Sequence, residues 1–246
     1  MKISTVTITL NSEKTIKQTI DSYLQQEYQD KELIVIDGGS TDDTINILES
    51  YKYCIDNYIS EPDEGISDAF NKGILRSTGE LVFILSSDDY LINSNIFDLV
   101  VAQTSKNVDI IYGDIISKSL NSERIVKPLS LKRIKYNFPL KHPAMFVKRS
   151  LYEKIGLYSL NCKMAMDYEF TYRAVNNDSI FKYIDKPLVV VRDGGANQQN
   201  RFKTIKEVYS VSTIFGANKF IAAMYVLKKI LSYFIKILSD LNKHTK

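Results

Sequence analysis

Four short apolar runs, separated by stretches with helical spacing, occupy the first 90 residues and restrict what this chain can become. Ile3–Leu10 and Glu32–Ile36 are rich in β-branched and apolar residues, the composition of strands buried on both faces. Shorter runs follow at Tyr58–Ser60 and Leu81–Leu85. Between them, helical patterns run up to Ser22–Gln26, over Asp43–Tyr51 and over Ile66–Leu75. Asn11 and Ser12 offer capping oxygens to the first of these helices and Asp42 to the second. Three strand–helix units of this length predict an α/β domain with a mostly parallel central sheet, flanked by helices on both faces.

Parallel sheets bind ligands beyond the carboxyl ends of their strands, and the polar residues of this chain collect there. Thr9 and Asn11 follow the first strand, Asp37 the second, Asp63 and Glu64 the third, and Asp88 and Asp89 the fourth. The segment after the first strand, LNSEKTI, contains no Gly-x-Gly-x-x-Gly, and no phosphate-binding loop occurs. Dinucleotide and P-loop folds are therefore excluded.

Adjacent carboxylates at Asp88 and Asp89 repel each other unless they share a cation, and hard oxygen ligands suit Mg²⁺ or Mn²⁺. A helix cap or a solvated turn is the competing account of the pair. Asp37 can accept hydrogen bonds from a base or ribose, or order the turn DGGSTDDT. Helical spacing puts Asp68, Asn71 and Lys72 on one face, where Lys72 meets either a phosphate or water. Asp167 lies among apolar residues at a helix start, with Glu169 two positions on. A carboxylate there can take a proton from an attacking hydroxyl, although a capping aspartate has the same pattern. His142, ahead of a proline and a buried run, either orients a ligand or completes the core.

The second half is less regular. Strands are expected at Val108–Tyr112, His142–Val147 and Ile184–Val191, helices at Leu151–Ile155 and Met166–Val175, a polar excursion over Lys118–Arg133 and a polar loop over Arg192–Gln199. From Phe202 a helical tail carries apolar residues at three- and four-residue steps, Phe220, Met224, Leu227, Leu231, Phe234, Leu238 and Leu241 among them. Between Lys203 and Lys246 eight lysines oppose Glu207 and Asp240, a local +6 in a chain whose net charge is +3. Lysines interrupt any run long enough to span a bilayer, but an amphipathic helix pair lying on a membrane, or packing on a partner subunit, is allowed. The basic cluster is confined to this helical tail, which argues against nucleic-acid binding. Two distant cysteines and an N-terminus without a signal peptide favour a reducing, cytoplasmic setting.

Together these segments resemble the family 2 glycosyltransferases, of GT-A fold. The matching pieces are VTITLNSEKTIKQTIDSYLQQEYQDKELIVIDGGSTDDT, EPDEGISDAFNKGILRSTGELVFILSSDD, HPAMFVKR and MAMDYEFTYRA, within residues 3–175. The similarity is strongest to bacterial members that assemble lipopolysaccharide, capsule or other surface glycans. It implies a nucleotide-sugar donor, most often UDP-linked, and a saccharide or lipid-linked saccharide acceptor, with inversion in one displacement. It implies that Thr9, Asn11 and Asp37 contact the nucleotide; Asp68 and Lys72 are further candidate donor contacts from their shared helix face alone. Asp88 and Asp89 would bind the diphosphate through Mn²⁺ or Mg²⁺, and Asp167 would be the catalytic base. His142 and Glu169 are candidate contacts to acceptor or phosphate. Many members carry an aspartate where this chain has Ser86, so which carboxylate leads in metal binding stays open. The Gln-x-x-Arg-Trp signature of processive synthases is absent, favouring transfer of a single sugar. On this basis residues 1–115 form a donor half, 116–201 an acceptor half, and 202–246 a basic tail that holds the enzyme at the inner face of the membrane. A sugar-1-phosphate nucleotidyltransferase and a non-catalytic carbohydrate-binding module are the alternatives.

Overall fold

The computed structural model describes residues 1–193 and 200–244. Strands β1 (Ile3–Thr9), β2 (Lys31–Asp37), β3 (Asn57–Ser60) and β4 (Leu81–Ile84) alternate with helices α1 (Ile16–Leu24), α2 (Thr44–Ser50) and α3 (Ile66–Arg76). β5 (Tyr90–Leu91), α4 (Ile96–Val101), β6 (Ile110–Lys118) and β7 (Glu123–Val126) follow. Then come two 3-10 turns (Leu131–Arg133 and His142–Ala144), β8 (Met145–Lys148), α5 (Arg149–Ile155), α6 (Met166–Asn176) and β9 (Phe181–Arg192). Two helices close the described chain, α7 (Arg201–Ile214) and α8 (Lys219–His244).

All nine strands of the described residues join one sheet in the order β3-β2-β1-β4-β8-β6-β9-β5, with β7 on β6. The first four run parallel, as the strand–helix alternation requires. β8 enters antiparallel between β4 and β6, while β6 and β9 are parallel again. An antiparallel neighbour needs no crossover helix; the segment between β6 and β8 has only β7 and the two 3-10 turns. Residue 115 lies inside β6, so the two expected halves share a strand.

Side chains of the central strands alternate between two cores. Val6, Ile34 and Ile36 pack under α3, α5, α6 and α7; Ile3, Leu33 and Val35 pack under α1, α2 and α4. α3 crosses β1 in contact with it at Gly73, where a Cβ would come within 2.1 Å of Val6 Cγ1. At the sheet end remote from the strand carboxyl termini, buried Glu32 accepts hydrogen bonds from Ser4 Oγ, Thr78 N and Thr78 Oγ1 and pairs with Lys2 Nζ at 2.7 Å. Burial alone would raise its pKa, but these donors hold it down at about 2.

Several local expectations are corrected. Asn11 and Ser12 do not cap α1, which begins after Thr15 with no side-chain cap. Asn11 Oδ1 instead accepts from Thr41 N at 2.8 Å and Ser12 Oγ meets Ser87 Oγ at 2.8 Å, so both stitch neighbouring strand ends together. Asp42 accepts from the Thr44 amide at 3.0 Å, but the N-cap position of α2 falls to Asp43. His142 opens a 3-10 turn and not a strand, because Pro143 favours the first turn of a helix. The polar loop expected over Arg192–Gln199 falls, from residue 194, outside the described residues. So do the tail side chains of Phe234, Leu238 and Leu241. Among the described residues no helix is long and apolar enough to cross a membrane.

Candidate active site

The carboxyl ends of β1 and β4 open onto a cavity of about 940 Å³ that runs across to the start of α6. Its size is that of a small-molecule site. Thr9, Asn11, Asp63, Asp88 and Asp89 line the side formed by the first four strands. His142, Asp167 and Arg192 line the other.

The acid pair sits in a tight turn after β4, closed by Asp89 N bonding Ser86 O at 2.9 Å. Thr19 Oγ1 of α1 donates to Ser87 O at 2.9 Å and to Asp89 O at 2.7 Å, fixing the turn from behind. Arg192, at the end of β9, donates to the backbone oxygen of Asp88 and stacks its guanidinium 4.9 Å from the Tyr90 ring centroid. Asp89 is 3% exposed, and its Oδ1 has no hydrogen-bond partner. Burial raises the pKa of Asp88; burial, and then the Asp88 charge beside it, raise that of Asp89 well above the usual carboxylate range. A buried carboxylate oxygen without a partner costs on the order of 1–3 kcal/mol, and a shared divalent cation removes that cost and the mutual repulsion together. The donor set fits such an ion. Mg²⁺ and Mn²⁺ suit hard oxygen sites, and Mg²⁺ is commonly held by one or two carboxylates, with phosphate oxygens and water completing the shell. Among the described residues no group of three His, Cys, Asp or Glu side chains gathers at one point, so the remaining ligands would be the substrate's. Thr9 Oγ1 is also buried and unpartnered, but Thr5 and Thr7 share that condition, so it points less sharply to a ligand.

Asp167 occupies the first turn of α6, half-buried, with Oδ1 accepting from Tyr168 N at 2.8 Å. Burial pushes its carboxyl up to about 6 against the pull of that amide; Glu207 adds to the rise and Lys141 opposes it. A carboxylate so tuned is ionised at neutral pH yet basic enough to accept a proton. His142 stacks on Phe70 with 5.2 Å between centroids, and its Nε2 lies 3.0 Å from Tyr158 Oη. Burial depresses its pKa to about 4, so a neutral imidazole lines the cavity and brings no charge to a phosphate.

Four expected site residues are committed elsewhere. Asp37 is fully buried and accepts from Gly39 N (3.1 Å), Ser40 N (3.0 Å), Ser40 Oγ and Ser60 Oγ (2.7 Å). It orders the turn after β2 and is not part of the cavity lining. Lys72 Nζ pairs with Glu61 at 2.8 Å and with Asp68 at 3.0 Å, the i,i+4 neighbours satisfying each other. Glu169 is chelated by Arg173 at 2.7 and 2.9 Å. Two helical positions are about 200° apart around the axis, so Asp167 and Glu169 cannot both face the cavity. Two further residues line the cavity: Asp63, expected only as a strand-end acid, and Arg192, expected only as the start of a loop. Asp63 is admitted by Gly38, where a Cβ would lie 2.5 Å from its Oδ2; the pairing of DGG with a downstream aspartate was the available signal. Arg192 is a cation closing an apolar strand, which by sequence looks like a loop residue.

An open sheet with an acid pair beyond β4, facing a helix-borne carboxylate across one cavity, defines a glycosyltransferase of GT-A fold. The family model described as "Glycosyl transferase family 2" matches residues 4–167, and the chain belongs to that family. A PGL/p-HBAD biosynthesis glycosyltransferase of Mycobacterium tuberculosis is 30% identical over 177 residues, covering 70% of this chain and 69% of the relative. Another glycosyltransferase of that organism is 32% identical over 178 residues, covering 70% and 68%. Among solved structures, Staphylococcus aureus TarS in complex with UDP-GlcNAc superposes with a TM-score of 0.70 at 21% identity, covering 92% of this chain and 70% of that one. The mannosyltransferase PcManGT of Pyrobaculum calidifontis, in complex with GDP-Man and Mn²⁺, gives 0.66 at 17% identity, covering 91% and 69%.

Proposed function

We propose that this glycosyltransferase moves one sugar, with inversion, from a UDP-linked donor to a hydroxyl of a glycan or lipid-linked saccharide. The observation that carries this is the unpartnered Asp89 Oδ1 beside Asp88, in the cavity that also receives Asp167. Complexes of similarly folded proteins with UDP-GlcNAc, and with GDP-Man and Mn²⁺, support a nucleotide-sugar donor and a divalent ion.

In this mechanism Asp88 and Asp89 would hold a divalent ion, Mn²⁺ or Mg²⁺, which would supply positive charge to a leaving diphosphate. Thr9 and Asn11 border the nucleotide, and Asp37 keeps the adjoining turn in shape. Arg192 maintains the backbone of the acid pair. Asp167 accepts the proton of the acceptor hydroxyl as its oxygen attacks the anomeric carbon, and His142 forms a neutral wall beside it. Residues 1–115 supply most of the donor contacts and 116–201 the base. The tail extends the proposal: Phe220, Met224, Leu227, Leu231 and Ile235 form a ridge on α8, each between 53% and 75% exposed. Lys219 and Lys228 lie exposed among them, which suits contact with an anionic lipid surface at the inner face of the membrane.

The test is a binding and hydrolysis screen against UDP-, TDP- and GDP-sugars with and without Mn²⁺, with Asp89→Asn and Asp167→Asn alongside. Metal-dependent binding of one donor, lost in Asp89→Asn but kept without turnover in Asp167→Asn, is the expected result. Failure of every sugar nucleotide to bind would favour the carbohydrate-binding alternative. Formation of a sugar nucleotide from a sugar 1-phosphate and a nucleoside triphosphate would favour the nucleotidyltransferase.

A further inference from the structure

We infer that Glu207, on α7 and forty residues beyond Asp167, is a positioning residue for the base: it fixes the segment that presents Asp167 to the cavity. The inference rests on Asp167 being the base.

Helix α6 begins without a cap of its own. Its N-cap is Ala165, whose side chain has no oxygen to offer the orphan amides of a first turn. Glu207, from another helix, binds the N-cap residue and the segment before it. Its Oε2 accepts from Met164 N at 2.7 Å, from Ala165 N at 2.9 Å and from Cys162 Sγ at 3.3 Å. All three donors lie in the four residues leading into α6, and a negative charge at a helix N-terminus is further favoured by the helix dipole. The clamp has a firm base, since Val208 and Val211 of α7 are buried in the core that also holds Tyr168, Phe170 and Tyr172 of α6. From the opposite side Ser67 Oγ donates to Cys162 O at 3.2 Å. Asn71 exchanges two hydrogen bonds with the Tyr158 backbone, at 2.8 and 2.9 Å. Residues 158–165 are thus gripped between α3 and α7, and Asp167 comes two positions after them.

Charge points the same way. The groups acting on Asp167 are the Glu207 carboxylate, the Lys141 ammonium and the Tyr158 hydroxyl, with neutral His142 lining the same cavity and Lys229 of α8 set against Lys141. Glu207 is the anion among them, and it raises the proton affinity of the Asp167 carboxyl. The family match ends at residue 167, so this support comes from the part of the chain that carries none of the matched motifs.

The experiment separates the two effects in the full-length protein. Carboxyl ¹³C resonances of labelled aspartates are titrated from pH 4 to 8, with Asp167 assigned by its loss in Asp167→Asn. Hydrogen exchange of the Met164 and Ala165 amides is followed in parallel. Glu207→Gln keeps an accepting oxygen and loses the charge: the Asp167 midpoint is expected to fall by roughly half a unit or more, with amide protection retained. Glu207→Ala loses both, and protection of the two amides is expected to drop by about tenfold or more, the equivalent of one lost hydrogen bond. An unmoved midpoint in Glu207→Gln overturns the electrostatic role, and undiminished protection in Glu207→Ala overturns the clamp. If Glu207→Ala does not fold, the Glu207→Gln titration still decides. Continued donor turnover by Asp167→Asn would instead remove the base assignment, whatever Glu207 does.

Discussion

Asp167 must be charged to act as a base, yet it sits where charge is disfavoured. Its folded pKa of about 6 exceeds the ordinary aspartate value, so the folded state binds this proton more tightly than the unfolded chain. The resulting stabilisation is complete below the unfolded pKa of about 4 and is lost as pH rises through about 6. Asp167→Asn keeps the acceptor for Tyr168 N and removes the buried charge. It is expected to be more stable than the native protein at pH 8 by about 1–3 kcal/mol and equal to it at pH 4; denaturant melts at the two pH values check this. The same substitution is expected to stop turnover, so the expected pattern is a stabilised, inactive protein. His142 has the opposite sign: its folded pKa of about 4 lies below the ordinary value, so its contribution is present above about 6.5 and is lost as pH falls through 4. At this scale the sequence was informative where strand ends impose an address. Asp88, Asp89, Thr9 and Asn11 line the cavity for that reason. It was uninformative where a charged residue had to choose between a ligand and a neighbour: Asp68, Lys72 and Glu169 all chose an i,i+4 partner or a near neighbour, and Asp37 chose its own turn.

Helix α3 shows how elements transmit geometry to the site. It packs against β1 through Gly73, and it carries the Ser67 and Asn71 contacts that hold residues 158–162. A methyl group at position 73 would stand 2.1 Å from Val6 Cγ1, so Gly73→Ala forces the helix off the sheet. The expected cost is about 1–3 kcal/mol by overpacking, read as a lower melting temperature. A loss of turnover that exceeds the loss of donor affinity is expected to accompany it, because the displaced helix disturbs the base before the acid pair. A melting temperature unchanged by Gly73→Ala would mean that the α3–β1 contact yields without cost. The parallel strands and their helices were legible because each is a local, periodic unit. β8 and β9 were legible as strands, but their pairing on either side of β6 was not. β5 and β7, at two and four residues, were not legible at all: they exist through pairing with β9 and β6, which no local window contains.

At the scale of the whole molecule, the tail presents two different faces. One face of α8 packs on the body, with Ala222 buried and Tyr225 stacked on Tyr136 at 5.2 Å; the ridge from Phe220 to Ile235 faces outward. The intact protein is expected to sediment with phosphatidylglycerol vesicles and not with phosphatidylcholine vesicles, and less so at high salt, which screens the lysines. Leu227→Asp with Leu231→Asp, both at exposed positions, is expected to abolish sedimentation while leaving the melting temperature unchanged. Sedimentation of that double variant with the same vesicles would show that the ridge is not the contact. The tail's helicity and charge were legible from its spacing, but its reach back to Asp167 through Glu207 was not, because a single glutamate among lysines has no pattern. That reach has a consequence in time. A ribosome that has finished the acid pair and the base has still to add forty residues before the clamp exists. At roughly 5–20 residues per second the delay is about 2–8 s, during which the nascent chain has its donor-side strands and no finished catalytic centre.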